Sequence, residues 1–231
     1  MLAEQVKAWN EYPAGMRVIL VDDGSPEPAL PIVQANATDE LLTRLQVYRI
    51  GVDLAWNRGG ARNLGTQQAD TDWIIHIDID HMLKPECAER LLAFKPDPAT
   101  WYRFPRFRRG AADETRRKDA LDPSVEYGPI KPHCDSFLCT REMYWRAGGY
   151  NEAFSGCLGG GSPFLQMMEQ EAKPSLLPDD IFLEVYTRHT IKDASDFSLS
   201  RDTSEYTRRK AKMGGNLKGT NPIRFPWSRV A

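Results

Sequence analysis

The chain has 231 residues, 41% of them hydrophobic and 27% charged, a profile that fits a folded protein and excludes disorder, collagen and coiled coil. Thirty Lys and Arg against 32 Asp and Glu leave a formal net charge of −2, so no global positive field draws the chain to nucleic acid. No apolar stretch approaches the roughly 20 residues of a bilayer span, and residues 1–10 lack the apolar core of a secretory signal. The expected compartment is cytoplasmic. Cys87, Cys134, Cys139 and Cys157 are too unevenly spaced for a disulfide framework and read as reduced thiols.

Leu2, Val6 and Trp9 recur at helical spacing, and the helix they predict ends at Tyr12-Pro13. Arg17 to Val21 is an apolar, β-branched run that breaks at Asp22-Asp23-Gly24-Ser25, as a buried strand entering a loop would. Thr38 is an N-cap candidate ahead of Leu41, Leu42 and Leu45, and Val47 to Ile50 has strand character. Arg58 to Ala69 predicts a helix and Trp73 to Ile77 a third strand. Strands alternating with helices imply right-handed crossovers, so the expected fold class is α/β with a mostly parallel, doubly wound sheet. Ligands then belong at the C-terminal strand ends.

The second half reads as less regular. Tyr102 to Phe107 is a broken strand, Glu142 to Ala147 a short helix closed by Gly148-Gly149, Gly159 to Gly161 a loop, and Leu183 to Tyr186 a strand leading to His189. Two segments run against the overall charge: residues 102–118 hold seven Arg or Lys against two acids, and residues 207–224 hold six against none. Such stretches suit either a solvated surface or a rim for a phosphorylated or acidic ligand. No repeat or long linker divides the chain, and a single domain over residues 1–231 is expected.

Asp78-Ile79-Asp80 follows the third strand directly. In an extended segment both carboxylates project to one side, where they can share Mg2+ or Mn2+ with a diphosphate completing the shell. His81 and His189 are possible nitrogen ligands. Upstream stand Val21-Asp22-Asp23-Gly24-Ser25 and the helix-opening Asn57-Arg58-Gly59-Gly60-Ala61-Arg62-Asn63-Leu64-Gly65. This ordered set resembles the family 2 glycosyltransferases of the glycosyltransferase A fold, with Val-Asp-Asp-Gly-Ser, Ala-Arg-Asn-x-Gly and Asp-x-Asp in that order. The similarity continues through Phe137 to Glu142, Trp145 and Gly148-Gly149-Tyr150-Asn151-Glu152-Ala153-Phe154, and spans roughly residues 17–190.

The resemblance implies a nucleotide-binding half (1–100) and an acceptor half with a basic tail (101–231). It implies a metal-dependent transfer of sugar from a nucleotide-diphosphate sugar, a UDP-sugar foremost, to a carbohydrate or other hydroxyl acceptor. Asp22 or Asp23 would meet the nucleobase or ribose, Arg62 would lie along the same pocket, Asp78 would face the ribose, and Asp80 with His189 would hold the metal. The position after Gly-Gly-Tyr where relatives keep an acid is here Ser155 to Ser162 without a carboxylate, which leaves Asp135 or Glu152 as candidate base. Relatives begin with a central strand before the first helix. This chain starts at the helix, so either a preceding segment is missing from the sequence or the sheet closes another way.

Two other readings stand beside this one. Ile75 to Asp80 also resembles the first motif of haloacid-dehalogenase-type phosphatases, with Asp78 as nucleophile, Asp80 as acid/base and Asp179-Asp180 as the late acidic pair. A nucleotide-sugar-binding protein lacking the base is the third.

Overall fold

Leu2, Val6 and Trp9 form one face of α1 (Leu2–Asn10) in a computed structural model that describes residues 1–108, 128–186, 202–220 and 223–231. The chain continues through β1 (Val18–Asp22), α2 (Leu30–Asn36) and α3 (Asp39–Leu42) to β2 (Leu45–Ile50). Thr38 caps α3 by accepting the Leu41 N–H at 3.3 Å. In β1 and β2 alternate side chains divide the apolar load. Val18, Leu20, Leu45 and Val47 face the cluster built with Val6, Val33 and Leu41 of the first three helices, whereas Ile19, Val21, Tyr48 and Ile50 face Leu64 of α4 (Arg58–Gln68).

Next come β3 (Trp73–His76), β4 (His81–Leu83), α5 (Pro85–Ala93), β5 (Trp101–Arg103), β6 (Arg106–Arg108), β7 (Gly128–Ile130), β8 (Phe137–Thr140) and α6 (Arg141–Arg146). A 3-10 turn at Glu152–Phe154 leads to α7 (Gly161–Glu171), β9 (Pro174–Leu176), β10 (Leu183–Val185), α8 (Ser204–Lys212) and β11 (Trp227–Arg229). Alternation repeats in the second half. Phe137 and Cys139 of β8 join Ile74, Trp101, Tyr144 and Phe164 under α6 and α7, while Leu138 points to the opposite cluster with Leu91, Tyr102 and Leu183.

The expected mostly parallel, doubly wound sheet is not what forms. Among the described residues the strands make three sheets, ordered β1-β2-β11, β4-β10-β6-β7 and β3-β8-β5-β9. Three pairings are parallel, β1 with β2, β6 with β10 and β5 with β9. Five are antiparallel, β2 with β11, β3 with β8, β5 with β8, β4 with β10 and β6 with β7. The crossover rule governs handedness once consecutive strands share a sheet, but it does not oblige them to share one. β3 takes its neighbour from the wholly buried Phe137-Leu138-Cys139 instead of from β1. Among the described residues β1 has no strand on the side away from β2, nor β3 on the side away from β8.

Helices α1 and α4 brace β3 and the segment that follows it: Gln5 of α1 donates to the carbonyls of Ile79 and His81, both at 2.8 Å, and Thr66 of α4 lies 2.9 Å from His76 Nε2. No helix among the described residues is long and apolar enough to cross a membrane.

Arg44 locks the end of α1. Its guanidinium donates to the carbonyls of Trp9 at 2.9 Å, Tyr12 at 3.0 Å and Met16 at 3.0 Å. Replacing Arg44 with Ala is expected to lower the unfolding free energy by about 2 to 3 kcal/mol in urea titration, the order of a charge-assisted hydrogen-bond set at a half-buried site. Arg44→Lys should recover less than half, because a single ammonium cannot reproduce the planar fork.

Candidate active site

The turn after β3, the segment before β8 and Tyr150 converge on Arg62 in the first turns of α4. Its side chain is only 8% exposed, which demands anionic partners. One guanidinium nitrogen donates to the Asp78 carboxylate and to the Asp135 carbonyl at 3.2 Å, the other stands 3.9 Å from Asp135 Oδ1, and the Tyr150 ring lies 5.3 Å away. Burial opposes ionisation of Asp78, but Arg62 and then His133 reverse that and hold its carboxyl well below the usual range. His133 Nδ1 is 3.0 Å from Asp78 Oδ2.

His81 is buried between Ser136 Oγ, 2.7 Å from Nδ1, and Arg106, 3.0 Å from Nε2. A guanidinium only donates, so Nε2 accepts and Nδ1 carries the proton. Burial pushes this imidazole down to about 3, which keeps it neutral. One ligand atom from each of Asp78, His81 and His133 lies within 4.8 Å of the others. The backbone here is a turn closed by His81 N–H to Asp78 C=O at 2.9 Å, not the extended segment expected. Asp80 sits on the same turn; burial and the neighbouring Asp78 raise its carboxyl above the ordinary value.

The paired acids after β1 divide their work. Asp22 accepts the N–H groups of Ser25 at 2.8 Å and Ala29 at 3.1 Å and pairs with Arg49 at 2.5 Å, so it holds the loop. Gly24 at φ +80° completes this turn, where a Cβ would fall 2.1 Å from the Val52 carbonyl oxygen. Asp23 accepts from Asn57 Nδ2 at 2.8 Å, and burial, with Asp22 and Asp53 nearby, pushes its carboxyl up to about 7.

Asp135 is fully buried, accepting the Tyr150 hydroxyl at 2.8 Å and pairing with Arg58 at 3.1 Å. Of the run Gly159 to Gly161, read as a loop, the first two lie in a turn and Gly161 opens α7; a Cβ on Gly161 would stand 2.7 Å from Asp135 Oδ1. Glu152, 4% exposed, accepts from Asn63 Nδ2 at 2.8 Å and from the N–H groups of Ile223 at 2.5 Å and Arg224 at 2.6 Å. Asp180 faces Arg90 of α5, 3.8 Å away. His189 lies outside the described residues.

The sequence reading does not single out Arg58, Arg106, His133, Ser136 or Tyr150 as members of this site. Arg58 and Tyr150 stand inside motifs already singled out, and Arg106 inside the basic run, so the signal was present without a means of aiming it.

Asp23 generates a pH dependence. Its folded-state pKa lies above the ordinary carboxylate value, so the folded protein binds the extra proton between about pH 4 and pH 7 and loses stability as pH rises through that window. Asp23→Asn is therefore expected to raise Tm relative to the parent chain, by a margin that grows from pH 4 to pH 7 and is constant above it.

The sequence matches glycosyl transferase family 2 over residues 2–158. No curated protein matches it. Solved structures share its fold. S. aureus TarS residues 1–349 align at 14% identity and TM-score 0.56, over 91% of this chain and 68% of that one. A second S. aureus TarS structure gives 14% and 0.57, over 90% and 41%. GalNAc-T7 with UDP, GalNAc and Mn2+ gives 14% and 0.51, over 88% and 48%. The chain thus spans less than half of the last two. At this identity the likenesses speak for the fold alone; the family match reaches from α1 past the 3-10 turn and takes in Asp23, Arg62, Asp78 and His133. The chain belongs to glycosyl transferase family 2.

Proposed function

We propose that Asp78, His81 and His133 hold the divalent cation, Mn2+ or Mg2+, of a glycosyltransferase that draws on a nucleotide-diphosphate sugar, a UDP-sugar foremost, and serves a carbohydrate or other hydroxyl acceptor. The observation that carries this is the meeting of three ligand atoms within 4.8 Å at the end of β3, one of them on the carboxylate that Arg62 holds ionised. The donor set fits such an ion: one carboxylate oxygen and two imidazole nitrogens suit Mn2+, Asp78 is ionised and His81 neutral, and the His81 Nε2 lone pair would take the ion in place of the Arg106 N–H. When bound, the ion neutralises charge building on the departing nucleoside diphosphate.

The chain's own residues supply the frame. Arg62 fixes Asp78, Ser136 fixes the His81 ring through Nδ1, and Asp23 with Asn57 supplies the polar wall for the nucleoside; Asp22 serves by shaping the loop beneath it. Asp80 adds a second carboxylate to the cation site, and His189 keeps its proposed place as a further ligand. For Asp135 and Glu152 we favour positioning over base chemistry, since each carboxylate already meets a full set of donors. During transfer the sugar's bond to the diphosphate breaks, the acceptor oxygen takes its place and the acceptor proton leaves to a base. One domain over residues 1–231 carries this, and four free cysteines agree with a cytoplasmic setting.

His81→Ala and His133→Ala should each weaken Mn2+ binding, read by electron paramagnetic resonance, by at least about tenfold, the lower bound for disturbing a metal's surroundings. Unchanged binding in both would overturn the assignment of the cation. Incubated with UDP-, GDP- and TDP-sugars, the protein should release nucleoside diphosphate from one of them in Mn2+ and not in EDTA. Metal-dependent hydrolysis of p-nitrophenyl phosphate without nucleotide binding would restore the phosphatase reading.

A further inference from the structure

Behind Glu152 the chain builds a second hollow that the donor reading does not use. A cleft of about 410 Å3 opens between the 3-10 turn and the segment after α8, with Asn151, Glu152, Asn216, Lys218, Thr220 and Arg224 among its walls. Its volume is that of a small-molecule site. Its charge is lopsided. Glu152 turns both oxygens to Asn63 and to the N–H groups of Ile223 and Arg224, so its carboxylate is spent within the wall. Lys218 and Arg224 form no ion pair with any described carboxylate.

The cleft is also built, not merely enclosed. Asn151 Nδ2 donates to the carbonyls of Leu217 at 3.4 Å and Lys218 at 3.3 Å, and its Oδ1 accepts the Ala153 N–H at 3.0 Å. A Cβ added at Gly148 would lie 2.5 Å from Lys218 Cγ, and one at Gly219 would lie 2.3 Å from the Gly148 carbonyl oxygen, so the Lys218 side chain and the Gly219 backbone are pressed against residues 148–150. Gly214 and Gly215, at φ +56° and +90°, turn the chain back from α8 to make this approach. The wall is one hydrogen bond from the donor side: Asn63, which donates to Glu152, follows Arg62, which holds Asp78.

We infer that this cleft seats the anionic group, phosphate or carboxylate, of a carbohydrate acceptor, with Lys218 and Arg224 as its counter-charges and Asn216 and Thr220 as hydrogen-bonding partners for sugar hydroxyls. Two exposed cations attract an oxyanion through a field that salt screens within about 8 Å at physiological ionic strength. The inference rests on the glycosyltransferase reading for the word acceptor, and on the cleft alone for the anion.

The test is calorimetry on the full chain with UDP and Mn2+ at saturation, so that the donor side is filled, using glucose 6-phosphate, glucuronate and glucose as probes. At least one anionic probe should bind more tightly than glucose by tenfold or more and lose affinity between 50 and 500 mM salt, as expected for charge-driven binding. The Lys218→Gln/Arg224→Gln double variant should lose that advantage while its UDP affinity stays within twofold. Equal binding of all three probes, or an anionic preference untouched in the double variant, overturns the proposal. A parallel fall in UDP affinity would show that the cleft holds the donor's own phosphates and would overturn it as well. Anion binding that persists in a protein unable to bind UDP would keep the cleft and sink the glycosyltransferase reading instead.

Discussion

A guanidinium sealed from water has to be matched by negative charge, and Arg62 is where this structure meets that demand. Its partners Asp78 and Asp135 come from different halves of the chain, Asp135 fully buried and Asp78 partly so. Removing either leaves a charge without compensation, an error that costs about 3 to 5 kcal/mol where it has been created deliberately in other proteins. The same contact sets the chemistry. Because Arg62 keeps Asp78 ionised, a carboxylate faces the two imidazoles instead of a neutral acid, and three potential ligands become usable together.

How much of this was readable beforehand followed the range of the forces involved. Local periodicity located α1, β1, β2, α4 and β3 within a residue or two, and Thr38 declared itself as a cap. The order of the acidic and Ala-Arg-Asn motifs pointed to the family. What periodicity could not convey was partnership across the chain. Phe137 to Thr140 was noticed as a motif but not as the strand that takes the place beside β3, and that one substitution of neighbours turns a parallel expectation into a mixed, mainly antiparallel arrangement. His133 reaches Asp78 from 55 residues away in sequence, and no spacing rule links them. Glu152 invited a catalytic role as a lone acid in a motif; the backbone N–H groups that occupy it belong to residues 223 and 224.

The closing segment of the chain is therefore more than a basic tail. β11 lies antiparallel on the free edge of β2, Trp227 meets Tyr48 edge-on with ring centres 5.8 Å apart, and Phe225 packs over Gly60. An exposed strand edge is a site for unwanted pairing, and here the chain covers it with itself. The positive charge counted in residues 207–224 splits on inspection. Arg208 and Arg209 are tied to Glu205, while Lys218 and Arg224 are left to face the cleft.

Asn63 is completely buried, and its amide is saturated: the nitrogen serves the Tyr150 carbonyl and Glu152, the oxygen takes the Tyr144 hydroxyl and the Tyr150 N–H. Standing next to Arg62 on a helix that rises only about 1.5 Å per residue, it makes α4 a common axle for two basins. A change that displaces α4 itself would therefore move the Asp78 site and the wall of the cleft together, whereas an exchange of side chains on the far side of the cleft leaves the axle where it is.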